Sequence, residues 1–211
     1  MKSLILAAVL LSTTLLASAQ TVGVDFNSNA DAPNHDVNDP GTGISPTFTD
    51  KGVLGEKFTG INTGGKGLAI SDGVTVDVTL PDGDPSCRDQ WTDPCNDLFR
   101  DYIQSEPNKK LTVTIHGLKA KTAYKLVVYG GSSRAGTDVT SFAGAITGTL
   151  SGTNADGTKV SRNSFVEGQN YLKTTATADD SGSITFTVSS PTGGWGILNG
   201  FGLAPDTAPK P

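Results

Sequence analysis

Apolar and polar side chains alternate most regularly over Lys110–Gly131, KLTVTIHGLKAKTAYKLVVYGG. Leu111, Val113 and Ile115 alternate with Thr112, Thr114 and His116, and after a short turn Tyr124, Leu126 and Val128 alternate with Lys125 and Val127. A period of two on both arms marks strands with one buried face. The turn opens on Gly117 and holds one apolar residue, Leu118, placed to fold back as a plug over the end of a sheet. This pattern predicts an antiparallel hairpin. A lone hairpin is not stable in water, so the remaining chain must supply further strands and a second layer.

Those strands are readable in order. Thr21–Phe26 alternates Val22, Val24 and Phe26 against Gly23 and Asp25, and VTVDVTL puts Val74, Val76, Val78 and Leu80 on one face. PTFTD, EKFTGIN and GLAIS are shorter strand-like runs between Thr47 and Val74. Ser141–Leu150 reads as a strand interrupted by Gly144 and Gly148, where bulging or close backbone approach is expected. SITFTV places Ile184, Phe186 and Val188 inward, and Trp195–Leu203 is the last strand. Asn96–Gln104 changes period: Leu98, Phe99, Tyr102 and Ile103 fall at helical spacing behind an Asn96 N-cap, which predicts one short helix. Asn27–Pro46 is a long polar loop, either a binding flap or disordered. The sum is an all-β fold, a two-layer antiparallel β-sandwich of jelly-roll type with one short helix.

The first residues change the picture of where the protein works. Lys2 precedes an apolar run from Leu4 to Leu16, and small residues at Ala17 and Ala19 form an A-x-A site. Residues 1–19 therefore read as a signal peptide, 20–204 as one sandwich domain and 205–211 as a disordered tail. The expected location is secreted, extracellular or periplasmic, with no membrane span. Formal charge is −5 and nothing basic is clustered, which argues against a nucleic-acid partner. Cys87 and Cys95 in CRDQWTDPC read as a disulfide in an exported chain, closing a loop worth about 2.5 kcal/mol by chain entropy. Two thiolates alone are a poor zinc site.

The succession TVTIHGLKAKTAYKLVVYGG, FVEGQNYLKTTATADDSGSITFTV and GGWGILNGFGLAP, with VDFN at the start, resembles galactose-binding-like β-sandwich domains of exported bacterial proteins. The resemblance covers most of residues 21–204. It implies a non-catalytic role, often carbohydrate binding through loops at one end of the sandwich, sometimes with a structural calcium ion.

The two histidines, His35 and His116, lack a recognisable nucleophile context, and no G-x-S-x-G elbow is present. His116 is expected to be exposed or turn-capping, and the chain is expected not to be an enzyme. Sugar binding needs flat aromatic faces and planar polar groups. Trp91, in the disulfide loop, meets the first need, with a plug under that loop as its alternative. Arg134 meets the second, with a surface pair to Asp138 as its alternative. Trp195 shares parity with Ile197, Phe201 and Leu203 and is expected in the core, and Asn199 is expected to bond buried backbone. Asp25, Asn27 and Asp31 gather oxygen ligands for a possible calcium, although solvated acidic loops are commoner. No other cofactor is expected. The reading is an exported polysaccharide-binding module. The alternatives are a structural surface or matrix protein without a small ligand and a glycan-active hydrolase or esterase. Oligomeric state is open.

Overall fold

The computed structural model describes residues 21–26, 52–56, 58–61, 64–71, 73–82, 88–89, 97–99, 101–131, 139–151 and 165–206. The strands are β1 (Val22–Phe26), β2 (Phe58–Ile61), β3 (Gly65–Ser71), β4 (Val74–Thr79), β5 (Arg88–Asp89), β6 (Asp101–Gln104) and β7 (Leu111–His116). They continue with β8 (Ala123–Tyr129), β9 (Thr140–Gly144), β10 (Gly148–Leu150), β11 (Tyr171–Thr177), β12 (Ile184–Ser189), β13 (Ile197–Leu198) and β14 (Gly200–Pro205). One sheet has the order β11-β8-β14-β1-β2, a second β10-β9-β12-β7-β4-β3, and a small third β13-β6-β5. The chain is all-β, and the two large sheets pack as a sandwich. Among the described strands, pairing is antiparallel except between β1 and β2. The expected signal peptide, the PTFTD run, the two cysteines and the end of the tail lie outside the described residues.

Side chains of like parity fill the space between the sheets. Val113, Ile115, Phe186 and Val188 from one sheet join Val24, Leu126, Val128 and Phe201 from the other in a single buried cluster. Phe186 meets Phe201 edge-on at 6.2 Å between ring centres, a favourable aromatic geometry.

Four expectations are corrected. The two arms of Lys110–Gly131 do not pair: β7 lies between β12 and β4 in the six-stranded sheet, while β8 lies between β11 and β14 in the other. The turn is a bridge between layers, and Leu118 packs against the core beneath it as a plug. β11 and β12 are joined by a second such bridge, and the two lie side by side. Leu118 N–H donates to Gly182 O at 2.9 Å and Ala178 N–H to Thr122 O at 3.0 Å. The helix over Asn96–Gln104 reduces to a single 3₁₀ turn, Asp97–Phe99, followed by β6. Ile103 is fully buried there because strand pairing to β13 overrides the helical spacing. Ser141–Leu150 is two strands, β9 and β10, folded on each other. The last strand is likewise split, into β13 and β14, at Asn199.

The five-stranded sheet is covered on both faces toward Tyr129, while Lys125, Lys173 and Thr175 on its outer face are exposed. β1 is buried at every position, and Val127 and Tyr129 of β8 point away from the sandwich core into a second cluster with Leu98 and Phe99. Val53, Leu54, Phe58, Phe165 and Tyr171 pack onto that cluster. Strands buried on both faces lose the polar half of their alternation, which is why β8 ends in the continuous run Leu-Val-Val-Tyr.

Candidate functional site

One end of the sandwich gathers the loop anchors. Asp25, Gly200 and Tyr129 lie in register across β1, β14 and β8. The chain departs here after Phe26 and after Gly131, and the 3₁₀ turn arrives here. Asn199, fully buried, ties the three together. Its N–H donates to Tyr129 O at 2.9 Å, its carbonyl accepts from Phe26 N–H at 2.9 Å, and its Oδ1 accepts from Gly131 N–H at 2.7 Å. A Cβ on Gly200 would stand 2.2 Å from Val24 O and 2.9 Å from the Leu98 side chain, so only glycine admits this closeness. A Cβ on Gly131 would stand 3.6 Å from the Phe99 ring. The segments carrying Asn27 and Asp31, Trp91, and Arg134 thus begin or end around one buried asparagine. Those four side chains themselves lie outside the described residues. Asp25 is fully buried at the end of β1. Among the described residues no group of three or more His, Cys, Asp or Glu could hold a metal ion, and no helix is long and apolar enough to cross a membrane.

Beside this end a buried acid fixes the segment before β2. Tyr129 O–H donates to Glu56 Oε1 at 2.5 Å, Leu54 N–H donates to Oε2 at 2.7 Å, and Val53 N–H donates to the Tyr129 hydroxyl at 2.7 Å. Burial pushes the Glu56 carboxyl above its ordinary value, against the lowering effect of these donors. Burial, then the Glu56 charge, pushes the Tyr129 phenol up as well. Gly52 and Gly202 leave the room: a Cβ on either would come within 2.1 Å of Glu56 Oε1. Nothing in the local sequence GVLGEKF marks Glu56 as buried.

The opposite end, where the two bridges lie, carries a third polar group. His116 closes β7 opposite Thr75 of β4. Its Nε2 lies 3.2 Å from Asp77 Oδ2 and its Nδ1 3.0 Å from Ser183 Oγ. Asp77 Oδ1 accepts from Gly67 N–H at 2.7 Å. That amide first, then the imidazole, holds the Asp77 carboxyl below the usual range. Asp179 gathers the turn beyond: its Oδ1 accepts from Ser181 N–H at 2.8 Å, Ser181 O–H at 2.7 Å and Ser183 N–H at 2.9 Å. The Ser181 hydroxyl, then the Ser183 amide, lowers the Asp179 carboxyl. Alternation puts Asp77 and His116 on polar faces, but which strands flank β7 cannot be read from it.

Trp195 is half-buried before β13, outside the buried core expected for it. Asn199 bonds buried backbone as its parity indicated.

No protein-family model matches the chain, and no curated protein matches it in sequence. Among solved structures it is similar to the enzymatically active domain of tailspike protein 4 of bacteriophage CBA120. Identity is 19%, over 70% of this chain and 22% of that one, with a TM-score of 0.29. The chain thus spans about a fifth of that structure's length. The expectation that the chain is not an enzyme is corrected here. That solved domain is described as enzymatically active, and the reading that neither histidine has a nucleophile beside it is corrected as well, since Ser183 Oγ lies 3.0 Å from His116 Nδ1. A likeness this remote assigns no activity to the chain.

Proposed function

We propose that the protein is an exported β-sandwich of the galactose-binding-like kind that binds a polysaccharide at the loop-bearing end. Trp91 would stack on sugar C–H faces and Arg134 would bond hydroxyl or carboxylate groups. The observation that carries this reading is the meeting of the loop anchors at Asn199, where the amide side chain fixes the first residue of the segment that leads to Arg134. A rigid base under several loops is what precise positioning of ligand groups requires. A Cys87–Cys95 disulfide would staple the loop that presents Trp91. A calcium ion at Asp25, Asn27 and Asp31 would brace the start of the first loop from the buried end of β1.

The test is a polysaccharide array and titration calorimetry on the mature protein, with Trp91→Ala and Arg134→Ala. Binding that falls at least tenfold in each variant, with melting unchanged, supports the reading. Binding untouched by both substitutions refutes these contacts. No binding to any polysaccharide leaves a structural role at the cell surface or in an extracellular matrix. Melting with and without chelator tests the ion, because a ligand held at 100 times its Kd adds about 2.7 kcal/mol.

A further inference from the structure

Three residues far apart in sequence, on β4, at the end of β7 and just before β12, meet at the bridged end in the order carboxylate, imidazole, hydroxyl. We infer that Ser183 is an activated nucleophile for carboxylic esters, with His116 as its base and Asp77 as the positioning residue. The distances are 3.0 Å from Ser183 Oγ to His116 Nδ1 and 3.2 Å from His116 Nε2 to Asp77 Oδ2. An ionised Asp77 takes the Nε2 proton in a hydrogen bond, and this selects the neutral tautomer with a lone pair on Nδ1, facing the Ser183 hydroxyl. Asp77 is itself aimed by the Gly67 amide, so the orienting group is fixed from a third strand. The roles are those of a nucleophile, a base and an orienter, recognised by contact and not by order along the chain.

The step balances without a co-reactant. Ser183 Oγ forms a bond to the ester carbonyl carbon while its proton passes to His116 Nδ1. The tetrahedral intermediate then expels the alkoxide, which takes that proton from Nδ1 and leaves as the alcohol. Water repeats the sequence on the acyl-serine and releases the carboxylic acid. The neighbouring amides limit the rate. Ser181 N–H and Ser183 N–H already donate to Asp179 Oδ1, and Gly182 N–H donates to Asp179 O at 3.1 Å. None of the three is directed at the developing oxyanion, and a missing donor of that kind costs about 10²- to 10³-fold. Acyl transfer is therefore slow, and single modification of Ser183 is a clearer readout than turnover. Ser183 keeps 8% of its surface, which favours small acyl groups such as acetyl.

The experiment treats the mature protein with a fluorophosphonate and, separately, with 4-nitrophenyl acetate, and maps adducts by peptide mass spectrometry. In the phosphonate reaction Ser183 Oγ bonds phosphorus, fluoride leaves and His116 takes the proton. The expected result is one adduct, on Ser183, formed at a measurable rate. That rate should fall at least 10-fold in His116→Gln and in Asp77→Asn, and the adduct should be lost in Ser183→Ala. Ser141→Ala, a hydroxyl on β9 away from the cluster, keeps it. Melting curves show whether each variant is folded, and folded wild-type protein alone suffices to overturn the inference. No Ser183 adduct on it makes the cluster a clamp between strands. Labelling unchanged in folded His116→Gln does the same.

Discussion

Tyr129→Phe isolates the chemistry of the buried acid. The ring stays, with its neighbours Phe165 at 5.2 Å and Phe58 at 5.8 Å between centres, so packing is held constant and only the hydroxyl is lost. That hydroxyl donates to Glu56 and accepts from Val53 N–H. Its removal leaves one oxygen of a fully buried carboxylate with a donor fewer and one amide without its acceptor. A hydrogen bond to a charged group is worth about 1.5–3 kcal/mol and an orphaned, partly buried amide about 1 kcal/mol, so the expected cost at pH 7 is about 2–4 kcal/mol. For a chain of this size that is roughly 4–16 °C in Tm. The sign of the pH dependence follows from the raised Glu56 carboxyl. An acid raised on folding binds more protons folded than unfolded, so its contribution falls as pH rises from the unfolded value through the folded one. Without the phenol the carboxylate form loses a donor that lowered its pKa, and the slope steepens. The Tyr129→Phe cost should therefore be smaller at pH 4 than at pH 7.5. Urea unfolding at the two pH values measures it. A cost under about 0.5 kcal/mol at pH 7.5, or one equal at both values, refutes the account.

Asn199→Ala removes the acceptor of Gly131 N–H and should cost about 1–3 kcal/mol, read by urea unfolding, with faster amide exchange at Gly131 than at Leu118. Gly182→Ala puts a Cβ 2.2 Å from Leu118 O at a backbone φ of 75°. Strain and overlap together should cost about 2–4 kcal/mol, whereas Gly193→Ala, also at positive φ but 3.6 Å from its nearest neighbour, should cost only the strain. Asp179, whose carboxyl is lowered in the folded protein, stabilises above its unfolded value, and this contribution is lost as pH falls through the folded one. Asp179→Asn should thus flatten the decline of the unfolding midpoint between pH 5 and pH 2, and an unchanged acid slope would count against the turn geometry.

The β content and the inward set were legible because the period of two survives wherever one face meets solvent, as in Leu111, Val113 and Ile115. Partner choice was not. Val113 and Val128 alternate alike, yet their strands belong to opposite layers, and six turn residues accommodate a hairpin and a bridge equally well. The helical spacing of Leu98, Phe99, Tyr102 and Ile103 also misled, because the first two fill the outer cluster and Ile103 the inner one. A signal for the covered outer face did exist: Val127 and Tyr129 are apolar at positions where Lys125 is not. At the candidate sites, Asn199 was readable from parity. Glu56 and the trio around His116 were not, since each depends on contacts between segments that alternation leaves unpaired.

The two bridges have a consequence for how the molecule comes into being. β7 finds its neighbour in β12 and β8 finds one in β11, each across dozens of intervening residues. Outside the local β3–β4 and β9–β10 pairings, no early segment can therefore mature alone. Closure entropy must be met before any of the distant pairings gives a return, which places such a chain among slow, all-or-none folders. A nick or truncation between the seventh and eighth strands should leave two fragments that are separately unstructured and regain shape only when mixed.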